Sequence, residues 1–310
     1  MKKIWTIFFI ATWLNLCFQT YTAATPIQDQ NHDTIIWMTD TQYYSKKYPH
    51  IFENQIEWII SNQKKWNIQY VIHTGDIVHN SEQMFQWHVA NNMMSQLDKS
   101  DIPYGILAGN HDLLNKKNYL IYEQFFGEDR FKEKDHYGGS YQNNKGHYDL
   151  LTLGKKEFIF LYMGWGIKKE EMDWMNQVLS SYKDRIAILN FHKYLHKNGK
   201  RTKLGDEIFE QVVKPNENVR VVLSGHYDDS EKLISDVDDN GDGRTDRYVY
   251  QILADYQSVS EGGSGFLRLI HFYPETHVLY MRTYSPYLNK HYHYSPQKHP
   301  EKDQFWIKLK

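Results

Sequence analysis

Short apolar runs alternate with helical spacing through the first two-thirds of the chain. Segments 34–39, 70–74, 104–108, Ile186–Phe191 and Val219–Ser224 are brief, almost continuously apolar and rich in β-branched or aromatic residues, which predicts buried strands. Between them, Ile51, Ile56, Ile59, Ile60 and Trp66 form one stripe of a helix over 51–66. A second helix is predicted over 81–97, capped by Ser81, with Phe85, Val89, Met93 and Leu97 at every fourth position. A third covers 168–179. This alternation predicts βαβ units and an α/β fold. Further on, 248–253, 266–270 and 277–281 read as consecutive strands with short turns, and Gly262-Gly263-Ser264-Gly265 as a tight turn or bulge. They predict a second, more antiparallel sheet packed on the first.

The amino terminus breaks this pattern. Lys2 and Lys3 precede an apolar run from Ile4 to Phe18, and Tyr21-Thr22-Ala23-Ala24 ends it on small residues. That is the form of a secretory signal peptide over 1–24, and the run is shorter than the roughly 20 residues a spanning helix needs. The expected mature protein is secreted and free of the membrane, with a flexible polar arm over 25–33 and a single domain over 34–310. Cys17, the single cysteine, lies in the leader, so stability must come from the core and not from disulfides.

Without Lys2 and Lys3, 34 basic residues face 38 acidic ones, a formal charge of −4. Such a balance gives no footprint for nucleic acid. The 24 tyrosines and 9 tryptophans are too many for a dry core alone and place amphipathic rings at the surface.

Five polar signals follow the apolar runs: Asp40, Gly75-Asp76, Gly109-Asn110-His111-Asp112, His192 and Gly225-His226. Ligands of open α/β sheets bind beyond the carboxyl ends of strands, so all five converge on one crevice. Carboxylates, an amide and imidazoles gathered there are donors for divalent metals.

This ordered set resembles the calcineurin-like metallophosphoesterase family over nearly the whole mature chain. The resemblance implies a four-layer αββα sandwich, two mixed β-sheets flanked by helices. It also implies two divalent metal ions and hydrolysis of a small phosphodiester or phosphomonoester by a metal-activated hydroxide. Asp76 would bridge the ions, and Asp76, Asn110, His192 and His226 would hold the second, a set suited to Mn²⁺, Fe²⁺ or Zn²⁺. His111 would be the catalytic histidine, protonating the leaving alkoxide.

The chain departs from the family pattern at the first metal. Gln42 and Asp228 stand where the family places histidines, so that ion would rest on Asp40, Asp76, Asp228 and Gln42. Oxygen ligands favour Mn²⁺, Mg²⁺ or Ca²⁺ over zinc. A weak or empty half-site is the alternative, and with it a degenerate member that binds a phosphorylated or sugar ligand without turnover. His79 occupies the position where the family often has an aspartate orienting the catalytic histidine. Substrate choice is expected in the loops 126–145 and 193–203.

The stretch 236–246 carries a separate signal. Asp236, Asp238, Asn240, Asp242 and Asp246 alternate with other residues around Gly243, the oxygen spacing of a calcium loop, although Val249 replaces the closing glutamate of an EF-hand. Structural calcium and a solvated acidic hairpin are both compatible with it.

Overall fold

The computed structural model describes residues 32–309. The predicted leader 1–24 and most of the predicted arm lie outside the described residues. The arm's last residue, Asp33, already pairs with Phe272 as the first residue of a strand. No helix among the described residues is long and apolar enough to cross a membrane.

Two seven-stranded sheets form the centre. The first contains β1 (Asp33–Met38), β2 (Ile68–His73), β3 (Tyr104–Ile106), β11 (Leu267–Tyr273), β12 (Val278–Ser285), β13 (Lys290–His291) and β14 (Gln304–Lys308). Strands β1, β2 and β3 run parallel, and β11 continues the sheet antiparallel to β1. The second contains β4 (Tyr137–Tyr141), β5 (Gly146–Leu153), β6 (Lys156–Met163), β7 (Ile186–Phe191), β8 (Val219–Ser224), β9 (Asp229–Val237) and β10 (Arg247–Asp255). There β6, β7, β8 and β10 are parallel, with antiparallel strands at both margins.

Three apolar layers hold the sandwich together. Side chains alternate across a strand, so β1 sends Ile36 and Met38 to one face and Ile35 and Trp37 to the other. The first pair meets α1 (Gln42–Lys46), α2 (Pro49–Asn62), α3 (Met84–Lys99) and α4 (Leu120–Phe126) through Tyr44, Phe52, Ile56, Trp87, Met94 and Phe126. The second pair joins Phe158, Phe160, Ile188 and Val221 between the sheets. The outer face of the second sheet packs Leu161 and Leu189 against Met172 and Met175 of α5 (Lys169–Ser181). Each such side chain contributes about 1.5–3 kcal/mol when fully buried. The implied αββα sandwich of two mixed sheets is the architecture observed.

Three expectations are corrected. The second-half strands do not form a sheet of their own: β11 and β12 extend the first sheet, whereas β10 inserts beside β8 in the second, with Ile252 opposite Leu223. Local periodicity marks a strand but not its partner. The second helix starts at Met84, with Gln83 at the N-cap position making no side-chain cap bond; Ser81 instead gives its carbonyl to the Trp87 indole N–H at 2.9 Å. The helix after residue 48 stops at Asn62, and Trp66 reaches the same core from the following turn.

Candidate metal centre

Five of the candidate ligands follow strand ends, and both sheets contribute. Asp40 and Asp76 follow β1 and β2, Asn110 follows β3, and His192 and His226 follow β7 and β8. The chain must turn sharply off each strand, and three of these residues do so with left-handed backbone: Asp40 at φ 50°, Asp76 at 51° and His226 at 72°. Such conformations persist for non-glycine residues only where surrounding structure enforces them. Neighbouring glycines allow the close approach. A Cβ on Gly109 would strike the Asp76 carboxylate, and one on Gly225 would strike those of Asp40 and the Thr39 hydroxyl.

Four donor groups meet around one imidazole nitrogen. His192 Nε2 lies 3.1 Å from His226 Nδ1, 3.2 Å from Asn110 Oδ1 and 3.4 Å from Asp76 Oδ1. The other ring nitrogen, Nδ1, donates to the Thr74 carbonyl at 2.9 Å, which aims Nε2 at the cluster. Atoms of Asp76, His192 and His226 all fall within 4.8 Å of one another. An electron-rich focus of this kind calls for positive charge.

The titration behaviour without metal shows the same demand. Burial works against charging His192, yet Asp76 and Asp40 push its pKa up to about 10. Burial also opposes ionisation of Asp76, but His192 and His111 hold it below the ordinary carboxylate value. Asp40 is raised to about 7 by burial and by Asp76. His226 is lowered to about 3 by burial and by His192. A proton on His192 thus fills the electrostatic place of a cation, and cation binding would release it.

Asp40 faces the centre from the side of His226, whose backbone N–H approaches its two oxygens at 3.3 and 3.2 Å. The buried Gln42 amide stands 3.4 Å from Asp76 Oδ2 and against Gln257. Asp228 is exposed, and its Oδ1 accepts from the Ser258 N–H at 3.2 Å.

His111 borders the cluster. Its backbone N–H donates to Asp76 Oδ1 at 2.9 Å, and its Nδ1 donates to the backbone carbonyl of His79 at 2.8 Å. The His79 imidazole does not orient it but stacks on it, with ring centres 5.0 Å apart, and Tyr43 stacks beyond at 4.9 Å. A cleft of about 300 Å³ opens here, lined by His79, Ser81, Asn110, His111, Leu113 and Lys116. That volume is at the lower limit of ligand pockets and suits a small molecule.

The calcineurin-like phosphoesterase model matches residues 33–227, which span all five motifs. The chain belongs to the calcineurin-like phosphoesterase family. It is similar to uncharacterized protein YvnB of Bacillus subtilis (strain 168), at 52% identity over 277 residues. That match covers 89% of the chain and 22% of the relative's length. Among solved structures it resembles a dimetal phosphatase from Danio rerio, with TM-score 0.57, 11% identity and coverage of 90% of this chain and 99% of that one. It also resembles the purple acid phosphatase PPD1 from yellow lupin seeds, with TM-score 0.58, 13% identity and coverage of 91% and 54%. GAP50, the anchor in the inner membrane complex of Plasmodium, matches with TM-score 0.56, 13% identity and coverage of 90% and 89%. These likenesses concern the fold.

Phosphoester hydrolysis is the activity for which this family is named. The donor set of Asp76, Asn110, His192 and His226 fits one divalent cation, because Nε2 of His192 is aimed among three further donors and can bind through its lone pair once its proton is released.

Two further contributors had no role assigned from the sequence. Asp112, fully buried, accepts from the N–H groups of Ile77, Val78 and Gly109 at 2.8, 2.9 and 2.7 Å, tying the two ligand loops together. Trp165 packs its ring 5.9 Å from His192 and 5.3 Å from His226, with Lys193 5.6 Å above it. The run Gly164-Trp165-Gly166 at the end of β6 was the available hint.

The acidic stretch 236–246 folds back on itself. Asp238 accepts from the N–H groups of Gly241 and Gly243, both at 2.7 Å, and Asp246 from that of Asp239 at 2.8 Å. Asn240 Oδ1 and Asp242 Oδ1 likewise accept from N–H groups two residues on, while Asp236 lies on β9 opposite Tyr248. Asp239, outside the alternating set, pairs with the buried Arg247 at 2.8 Å.

Proposed function

We propose that this domain hydrolyses a small phosphoester, with His111 as the proton donor to the leaving oxygen. The carrying observation is the hydrogen bond from His111 Nδ1 to the His79 carbonyl beside the cluster of Asp76, Asn110, His192 and His226. That bond keeps the Nδ1 proton in place, so the proton given to the leaving alkoxide comes from Nε2. Asp76 holds the His111 backbone through Oδ1 and fixes the ring's distance from the centre. Bound cations supply Lewis-acid polarisation of the phosphoryl group and a lowered pKa for water. Asp76, Asn110, His192 and His226 would hold one ion, and Asp40, Asp76 and Gln42 would face the other. Trp165 excludes water from one side of the two imidazoles.

The oxygen-rich half-site favours manganese, and the basic-apolar-small leader supports secretion. The cleft accepts a diester or a monoester. Metal-stripped protein reloaded with Mn²⁺, Zn²⁺ or Mg²⁺ should hydrolyse an aryl phosphodiester or an aryl phosphomonoester, and the ratio of the two rates names the class. Turnover unchanged by His111→Ala would remove His111 from the chemistry.

A further inference from the structure

Both departures from the family's first half-site lead to one turn. Asp228 takes the Ser258 N–H, and Gln42 abuts the amide of Gln257, one residue earlier. We propose that Gln257 is a cation ligand which, together with Gln42, supplies amide oxygens in place of the two missing imidazoles. Asp255 is then its positioning residue. The inference rests on the reading of the cluster at the strand ends as a two-cation centre.

Amide orientation carries the argument. Asp255, the buried last residue of β10, accepts from the Gln257 backbone N–H at 2.8 Å through Oδ1 and from Gln257 Nε2 at 2.9 Å through Oδ2. This double clamp turns Gln257 Oε1 away from Asp255 and onto Gln42. The Gln42 amide, itself buried, has two settings. In one, its NH₂ donates to Gln257 Oε1 and Asp76 Oδ2, but its oxygen faces the backbone carbonyls of Asp40 and Asp76, acceptor against acceptor. In the other, its NH₂ donates to those carbonyls at 2.7 and 3.1 Å, and its oxygen faces Gln257.

The second setting gives the nitrogen two carbonyl acceptors and relieves the clash of the oxygen with those carbonyls. It also places the Gln42 oxygen beside Gln257 Oε1 and 3.4 Å from Asp76 Oδ2. The Gln42 oxygen then faces two further acceptor oxygens, with no hydrogen between it and either. A cation resolves the repulsion, and an all-oxygen focus selects a hard one: Mn²⁺, Mg²⁺ or Ca²⁺. Asp228 anchors the far side of the turn that presents Gln257.

Mn²⁺ binding to metal-stripped protein tests this by equilibrium dialysis and electron paramagnetic resonance, without reference to turnover. The wild type should take two Mn²⁺ per chain and show a spin-coupled spectrum. Gln257→Leu should retain one tight ion, weaken the other at least about tenfold and give an uncoupled six-line spectrum. Gln257→Glu should restore two coupled ions, and Asp255→Asn should weaken the second about 10–100-fold. Thermal melts of each variant register any general loss of fold. Two coupled ions of unchanged affinity in Gln257→Leu would overturn the inference and leave the phosphoesterase reading standing. A wild type that binds no cation would overturn both.

Discussion

The Asp112 carboxylate accepts the backbone N–H of Val78 at 2.9 Å and so locks the loop that carries Asn110 to the loop that carries Asp76. Its second oxygen holds Gly109 at 2.7 Å. The Gly-Asn-His-Asp motif thus ends on a structural clamp, and its last residue has no need to reach a metal. Asp112→Asn turns an N–H group toward an N–H donor on one side of the clamp. A stability loss of about 1–3 kcal/mol follows, with weakened cation binding, measurable by urea unfolding and Mn²⁺ titration. A variant with wild-type stability and affinity would contradict the clamp.

His79 and His111 separate in their expected effects. His111→Asn should lower kcat by about 10²–10⁴ while metal content stays near that of the wild type. His79→Phe preserves both the backbone carbonyl that holds His111 and a ring for the stack with Tyr43. It should cost less than about tenfold in kcat, or roughly 1.4 kcal/mol. A collapse of activity in His79→Phe would mean that the imidazole itself takes part.

Acid should destabilise the fold through His271. Burial, with help from His32 and Arg282, lowers its pKa to about 3 from 6.5, and its ring is stacked on Trp66. The folded state keeps this ring neutral while the unfolded chain takes up a proton below pH 6.5. Its contribution is therefore complete above pH 6.5 and is lost as pH falls toward 3. Between pH 7 and pH 5 the loss amounts to about 2 kcal/mol. Urea unfolding of His271→Phe at the two pH values should show that much less decline than the wild type. An equal decline would assign the acid sensitivity elsewhere.

Much of this architecture is legible in the chain because fully buried strands are continuous apolar runs. Ile186–Phe191 and Val219–Ser224 match their predicted limits. Strands β5 and β9 escaped notice because each has one face partly exposed, and Asp229–Val237 reads as a polar segment. The candidate ligand positions were legible as polar residues that end apolar runs. Asp255 and Gln257 were not, since their role depends on a contact with Gln42 that is 215 residues distant in sequence. The missing histidines at Gln42 and Asp228 were the clue that something had to replace them.

The account stands or falls on whether the cation held by Asp76, Asn110, His192 and His226 is required for turnover. Metal-stripped wild type and Asn110→Ala should be titrated with Mn²⁺ while bound metal and hydrolysis of an aryl phosphoester are followed together. The wild type should gain activity in proportion to bound metal and saturate at two ions per chain, while Asn110→Ala should bind at least one ion fewer and remain inactive. Full loading of the wild type without hydrolysis of either a diester or a monoester would contradict the phosphoesterase reading and leave a domain that binds without turnover.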